Sequence, residues 1–258
     1  MTKIIVINID EAKDRWEHIS RQLSEMGLVA ERFAAIDGRK QNHPLFDRYD
    51  DRLRKKIKGD SLSLGQLGCF ASHFLVWKRC LELGEPVIVL EDDVTVVGER
   101  LEEFLEVAGK LDDRIECVRL FKNKTKHHKV LPYASCGDLA IVKYTKGPMS
   151  AMGYYLTPKG AHKLISNADK WYLAVDMYMD RFWVNNVECF GTVPECIKHD
   201  YLFDSMIGYE DKPKRALSTK TRRELFSLTE NTRRFFHNLK FRIYHSGHPY
   251  PVRNERTV

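Results

Sequence analysis

Three carboxylates in a row, Glu91-Asp92-Asp93, close the apolar run Val87-Ile88-Val89-Leu90, which follows the breakers Gly84 and Pro86. A short β-rich run bounded by turn signals reads as a buried strand. Acids at the tip of such a strand repel one another unless a cation sits among them. Hard dications such as Mg²⁺ and Mn²⁺ take oxygen ligands, usually one or two carboxylates together with substrate phosphates. The chemistry expected here is a metal–diphosphate site at the carboxyl edge of a sheet. The alternative is a solvated acidic turn.

The flanking pattern supplies the elements that would hold such a site. Residues 3–10 read as a strand and 11–26 as a helix, with Trp16, Ile19, Leu23 and Met26 at helical spacing, Asp10 as its cap and Gly27 as its stop. A second strand over 32–36 closes at Asp37-Gly38. Residues 47–60 are almost all charged and read as an exposed helix or a mobile loop. Residues 61–83 form the strongest helix, in which Leu67, Phe70, Phe74, Trp77 and Leu81 make one buried stripe. Gly65, Gly68 and Ser72 make a second stripe of small residues. Glycine inside a helix costs up to about 1 kcal/mol, so two on one face suggest close approach by another backbone or a ligand. The strand to Glu91 follows. Further helices are expected over 99–111, 158–168 and 176–184, and strands over 116–121, 139–144, 151–156 and 187–193. Residues 122–129 are a loop rich in Lys and His. This alternation predicts an α/β sandwich with a largely parallel sheet.

At 258 residues and 43% hydrophobic, the chain can bury one large domain with an appendage. It holds no run of the ~18 apolar residues that span a membrane, and its N-terminus reads as a strand, not a signal peptide. The six cysteines show no paired spacing and are expected to be reduced thiols, so the expected location is cytoplasmic. Charge divides the chain. Residues 212–258 carry 12 Lys+Arg against 3 Asp+Glu, a net of +9, whereas residues 1–211 carry 30 against 33, a net of −3. We therefore expect a body over 1–211 and a basic extension over 212–258 directed at an anionic surface, either nucleic acid or membrane. In the extension, basic residues interleave with Leu225, Phe226, Leu228, Phe235, Phe236, Leu239, Phe241 and Ile243, the composition of an interfacial amphipathic helix pair. The alternative is an aromatic stripe docked on the body. The acidic body argues against nucleic acid.

Several local patterns coincide: Asn8-Ile9-Asp10 with Arg15, the run from Gly65 to His73, Leu90-Glu91-Asp92-Asp93, Gly153-Tyr154-Tyr155-Leu156 before Gly160-Ala161, and Val175-Asp176. Together they resemble glycosyltransferase family 25, the lipooligosaccharide galactosyltransferase group related to the collagen galactosyltransferases, from about residue 2 to residue 200. The resemblance implies a GT-A-type, Rossmann-like fold that binds a nucleotide sugar. It also implies inverting transfer of a hexose, most often galactose, from a UDP-sugar with Mn²⁺ or Mg²⁺. The acceptor would be a lipid-linked oligosaccharide at the inner face of the inner membrane. Carried onto this chain, Asp93 is the direct metal ligand and Glu91 the other outer position, while Asp92 faces the sugar or ribose. The motif is Glu-Asp-Asp where the family pattern is Asp-x-Asp, which leaves open whether Glu91 touches the metal or acts through water. His199 would complete the metal shell.

The remaining roles follow from what such a transfer needs. Asn8, Asp10 and Arg15 cluster at the tip of the first strand and suit uracil and ribose. Arg15 also reads as a solvated helix charge. Ser72, His73 and Gly153 are expected at the donor pocket, although a lone helix histidine is commonly structural. Inversion needs a base to take the acceptor hydroxyl proton. Asp176 is the first candidate, with a helix N-cap as its other reading, and Asp180 is the fallback. A metal-dependent nucleotidyl or phosphoryl transferase is the alternative enzyme class, and a nucleic-acid-binding protein the non-enzymatic one.

Overall fold

In the computed structural model, which describes residues 2–122, 130–136, 138–200, 202 and 217–245, the first strand, β1 (Lys3–Asn8), is covered on both faces. Ile4 and Val6 enter one core, and Ile5 and Ile7 the other. An unbroken apolar run is what a strand buried on both sides requires. From β1 the chain passes through α1 (Lys13–Glu25) to β2 (Ala30–Ala34), which lies parallel on one side. A 3₁₀ turn (Pro44–Arg48), α2 (Asp51–Lys58) and α3 (Leu64–Leu83) then lead to β3 (Val87–Glu91), parallel on the other side. Asn8 pairs with Ala34 and Ile7 with Glu91, so the carboxyl ends of all three strands finish together. Connections that diverge from one strand to opposite neighbours open a crevice at those ends.

The chain continues through β4 (Val94–Val96), α4 (Gly98–Ala108), β5 (Cys117–Arg119), β6 (Val130–Cys136), β7 (Leu139–Tyr144) and β8 (Gly153–Leu156). It ends through α5 (Pro158–Ser166), α6 (Val175–Met179), α7 (Phe182–Asn185), β9 (Phe190–Val193), β10 (Ile197–His199) and α8 (Leu217–His245). The main sheet has eight strands in the order β2-β1-β3-β8-β5-β9-β7-β6, and β10 pairs with β4 in a small antiparallel sheet. Six of the eight strands point one way, as expected. The two reversed ones, β7 and β8, lie inside the sheet, so four of its seven ladders are antiparallel. α1, α4 and the small sheet cover one face, and α3, α5 and α6 the other.

α3 starts with a capping box, in which Ser63 and Gln66 satisfy each other's backbone N–H. Its apolar stripe holds through Trp77, where Phe70 stacks on Trp171 at 4.2 Å. Leu81 departs from the expected stripe, being 36% exposed; Cys80 takes the buried position, three residues after Trp77. The small-residue stripe has a backbone against it. A Cβ on Gly68 would run into the Ile36 carbonyl and Gly38, and Ser72 Oγ accepts from Ile36 N–H at 2.8 Å while donating to Gly68 O at 2.8 Å.

Other expectations are corrected. Asp10 does not cap α1; Ala12 occupies the cap position without a side-chain bond. For residues 47–60 the helix alternative holds, as α2, with Asp50 capping it and a buried Arg54 held by Asp60 at 2.8 Å. The expected 176–184 helix is two short helices, broken at Asp180 and Arg181. Among the described residues, the C-terminal segment is one helix, α8, in place of the expected pair. Residues 123–129, 212–216 and 246–258 of the expected loop and tail lie outside the described residues.

Candidate active site

A cavity of about 110 Å³ sits at the joined carboxyl ends of β1, β2 and β3. Of the residues expected there, Arg15, Ser72, His73, Glu91, Asp92 and Asp93 line it. The others stand elsewhere. Asp10 is exposed and paired with Arg32 at 2.7 Å. Gly153 lies within β8 opposite Leu90, where a Cβ would strike Ile197 and Leu90, so its small size serves packing. Asn8 is buried behind the wall. It donates to Ala12 O at 2.8 Å and to Asp92 Oδ2 at 2.7 Å, and it accepts from Arg32 Nε at 2.7 Å. Both amide hydrogens of Asn8 are thus engaged, which leaves only its carbonyl oxygen a further acceptor position.

Asp92 is likewise held inward. One oxygen takes the Asn8 amide and the other Arg15 Nη1 at 3.2 Å, so it tethers α1 to the β3 tip while lining the cavity. Burial still raises its carboxyl above the ordinary value, against the pull of Asn8 and Arg15. Arg15 also lies 3.9 Å from Asp93 and is buried, which excludes the solvated-charge reading. Burial, then the charges of Glu91 and Asp92, push Asp93 up to about 6 from 3.8. That rise favours the protonated form, and a dication at the carboxylate would reverse it.

Glu91 is fixed by a buried relay. His73 Nε2 lies 3.1 Å from Glu91 Oε1, and His73 Nδ1 lies 2.9 Å from the Tyr154 hydroxyl. Trp77 Nε1 donates to the same hydroxyl at 2.9 Å. Indole is a donor only, so the assignment that uses every hydrogen has Tyr154 O–H donating to Nδ1 and Nε2–H donating to Glu91. Burial drives the Tyr154 hydroxyl far above its ordinary value, keeping that proton in place. His73 therefore orients Glu91 from beneath the cavity, a structural role joined to the site.

Asp176, in the first turn of α6, comes to the same acidic group from a distant part of the chain. Burial, then Glu91, raises its carboxyl, partly opposed by the Met177 N–H that it accepts at 2.7 Å. Its carboxylate is engaged by that neighbouring amide and by its own backbone N–H, and α6 has no side-chain N-cap at Ala174. Asp180 is the poorer base. It accepts from Arg119 at 3.2 Å and from Met149 N–H at 2.8 Å, and it packs on Gly147. His199 ends β10 opposite Val94, close enough that its charge favours ionised Asp93.

Of the four carboxylates lining the cavity, Asp37 is held by Arg39 and Asp92 by Asn8 and Arg15, which leaves Glu91 and Asp93 as the oxygen donors best placed for Mn²⁺ or Mg²⁺. Among the described residues, the ligand atoms drawn within 4.8 Å of one another are those of Cys69, His73 and Glu91. That set does not suit a hard cation: burial, then Glu91, Asp176 and Asp93, raise the Cys69 thiol well above its ordinary value, and His73 is committed to its relay. Glu91, Asp93 and His199 are not drawn together to that spacing, so the expected three-ligand set is not preformed.

Two rim residues went unrecognised in the sequence. Asp37 and Arg39 line the cavity from the segment after β2, with Arg39 donating through Nε and Nη2 to Asp37 at 2.8 and 2.9 Å. Asp37-Gly38 carries a turn signal, and that signal concealed the role. The close seat of Gly38 on Gly68 of α3 sets these two side chains over the crevice.

The family model described as glycosyltransferase family 25 (LPS biosynthesis protein) matches residues 1–179. The lipooligosaccharide biosynthesis protein lic2B of Haemophilus influenzae is 26% identical over 270 residues, covering 96% of this chain and 98% of that one. A glycosyltransferase 25 family member of Aedes aegypti is 27% identical over 214 residues, covering 72% of this chain and 33% of that one. Procollagen galactosyltransferase 2 of Homo sapiens is 23% identical over 184 residues, covering 69% and 29%. The chain thus spans nearly all of the bacterial relative and about a third of the animal ones.

Proposed function

The chain belongs to glycosyltransferase family 25, and from that premise we propose that it transfers a hexose, galactose by preference, from a UDP-sugar to a lipooligosaccharide or lipopolysaccharide acceptor with inversion at the transferred carbon. The observation that carries the reading is the pair Glu91 and Asp93 lining the crevice between β1 and β3, with Asp176 of α6 near enough that the charge of Glu91 raises its carboxyl. The galactose preference and the acceptor class rest on the relatives' names, a procollagen galactosyltransferase and a lipooligosaccharide biosynthesis protein.

Asp93, with Glu91 beside it, would hold Mn²⁺ or Mg²⁺, and such an ion would supply charge neutralisation of the departing diphosphate. Arg15 and Arg39 add fixed positive charge at the same wall. Asp176 takes the acceptor hydroxyl proton as the new glycosidic bond forms. Its raised carboxyl gives it more basicity than an ordinary aspartate, as a general base near neutral pH requires. The His73–Glu91 contact keeps Glu91 in place, and the Asn8–Asp92–Arg15 network fixes the strand tip beside Asp93.

The setting proposed is the cytoplasmic face of an anionic membrane. Among the described residues, no helix is long and apolar enough to cross a membrane. α8 instead presents Leu225, Leu228, Phe235, Phe236, Leu239 and Ile243 outward beside exposed Arg222, Arg233 and Arg242. Each basic residue near an anionic leaflet contributes roughly 1 kcal/mol.

The test is a panel of UDP-sugars incubated with the full chain, with Mn²⁺ or with chelator, following UDP release. We expect release from UDP-galactose that chelator abolishes. Release unaffected by chelator would overturn the metal role, and phosphate products without sugar transfer would favour the phosphoryl-transfer alternative.

A further inference from the structure

Met177 and Asp180, in and just after α6, form part of the wall of a second cavity, of about 200 Å³. α8 closes it with Phe226, Glu230 and Arg234. Its two acids are already engaged: Asp180 by Arg119 at 3.2 Å and Glu230 by Arg181 Nη2 at 2.9 Å. Three further cations line it: Lys58 at the end of α2, Lys146 between β7 and β8, and Arg234. None of these three forms an ion pair among the described residues. The Lys58 ammonium is pushed below its ordinary value by burial, then by Arg54, Arg223 and Arg181, with Glu230 opposing; burial also lowers Arg234, again against Glu230.

Two ring faces sit beside these charges. Lys58 Nζ lies 5.1 Å from the centre of Phe226, and the Arg234 guanidinium 5.8 Å from that of Trp183. Lys58 and Arg234 are partly buried and Lys146 is exposed, and Glu230, already held by Arg181, balances the first two only in part. Three cations converging on one cavity suit a phosphate, and aromatic walls suit the apolar face of a sugar ring. α6 also carries Asp176.

We propose that this cavity is an acceptor subsite for a phosphorylated sugar, with the phosphate held by Lys58, Lys146 and Arg234 and the ring laid against Trp183 and Phe226. The assignment to an acceptor rests on the transferase reading above, in which Asp176 takes the acceptor proton.

Calorimetric titration of the full chain with a hexose 6-phosphate, the neutral hexose and inorganic phosphate tests it. We expect the hexose phosphate to bind at least tenfold more tightly than either fragment. The double variant Lys58→Gln, Arg234→Gln should weaken it at least tenfold, while UDP with Mn²⁺ binds within twofold of wild type. Lys58→Arg, which keeps the charge, should retain hexose-phosphate binding. Equal affinity for neutral hexose, equal affinity for inorganic phosphate, or unaltered binding by the folded double variant would each overturn the proposal. Displacement of the sugar phosphate by phosphatidylglycerol vesicles would assign the cations to a lipid headgroup and overturn it too. If hexose phosphate binds as expected but UDP with Mn²⁺ does not, the donor reading fails and the phosphate site stands; the converse result separates them the other way.

Discussion

The acidic crevice and the seat of α8 treat buried charge in opposite ways. In the crevice, carboxylates of one sign are brought together, and burial with mutual repulsion raises Asp92, Asp93 and Asp176. Under α8, acids meet cations. Glu188 lies between fully buried Lys143, at 2.8 Å, and His237, and Glu230 grips Arg181. Glu188 is accordingly held below its ordinary value despite burial, and Arg181 above its own. Like charges held together weaken a fold and prepare a site for a ligand of opposite sign. Opposite charges held together fasten one element to another, and removing one partner leaves the other stranded.

The comparison can be broken most forcefully at Asp93. Asp93→Asn should lower UDP-sugar turnover about 10³-fold, with the melting temperature equal to or above wild type because repulsion is relieved. Retained turnover in a steady-state assay would remove the crevice from the argument. Asp176→Asn should lower kcat roughly 10²-fold, the low end of what a positioned base supplies, with UDP affinity unchanged. Weaker donor binding as its only defect would make it a donor contact.

At the other pole, the two faces of α8 should separate. Phe241 packs with Tyr133 and Phe190, so Phe241→Ala should cost about 3 kcal/mol in thermal or urea unfolding. Phe235 is 62% exposed, so Phe235→Ser should change stability by less than about 0.5 kcal/mol. It should nevertheless weaken sedimentation with phosphatidylglycerol vesicles about tenfold, by loss of one buried aromatic. Equal effects of the two substitutions on stability would erase the distinction between docked and outward faces.

The smallest effect is pH-dependent. A folded carboxylate held below its ordinary 4.5 contributes stability that is complete above that value and lost as pH falls through the lower folded one. Unfolding midpoints measured from pH 6 down to pH 3 should therefore decline below about 4.5. Glu188→Gln should flatten that part of the curve, and an unchanged slope would show that the clasp contributes nothing.

Much of this arrangement was legible beforehand. The strand leading to Glu91, the long helix with its aromatic stripe and the basic character of the last 47 residues all follow from local pattern. The Gly68 stripe correctly signalled a close backbone. What local pattern missed were contacts between distant residues. Asn8 and Asp92 are 84 positions apart, and the hydrogen bond between them is not legible from either segment. Lys143, Arg119 and Arg181 are buried cations whose partners lie elsewhere in the chain, and nothing local distinguishes them from surface charge. The tail's apolar residues could not be divided in advance, because the division depends on which side of α8 meets the body.

Periodicity, breakers and charge by themselves determined which segments became helices and strands and which strand tip would carry the acids, because those properties act over a few residues. The folded chain alone decided that β7 and β8 run against their neighbours and that Asp176 joins Glu91. It also decided that His73 serves Glu91 from below and that α8 closes a cationic cavity beside α6. Each of these depends on partners tens of residues away, and their energies arise from burial and electrostatic neighbours that exist only once the layers have packed.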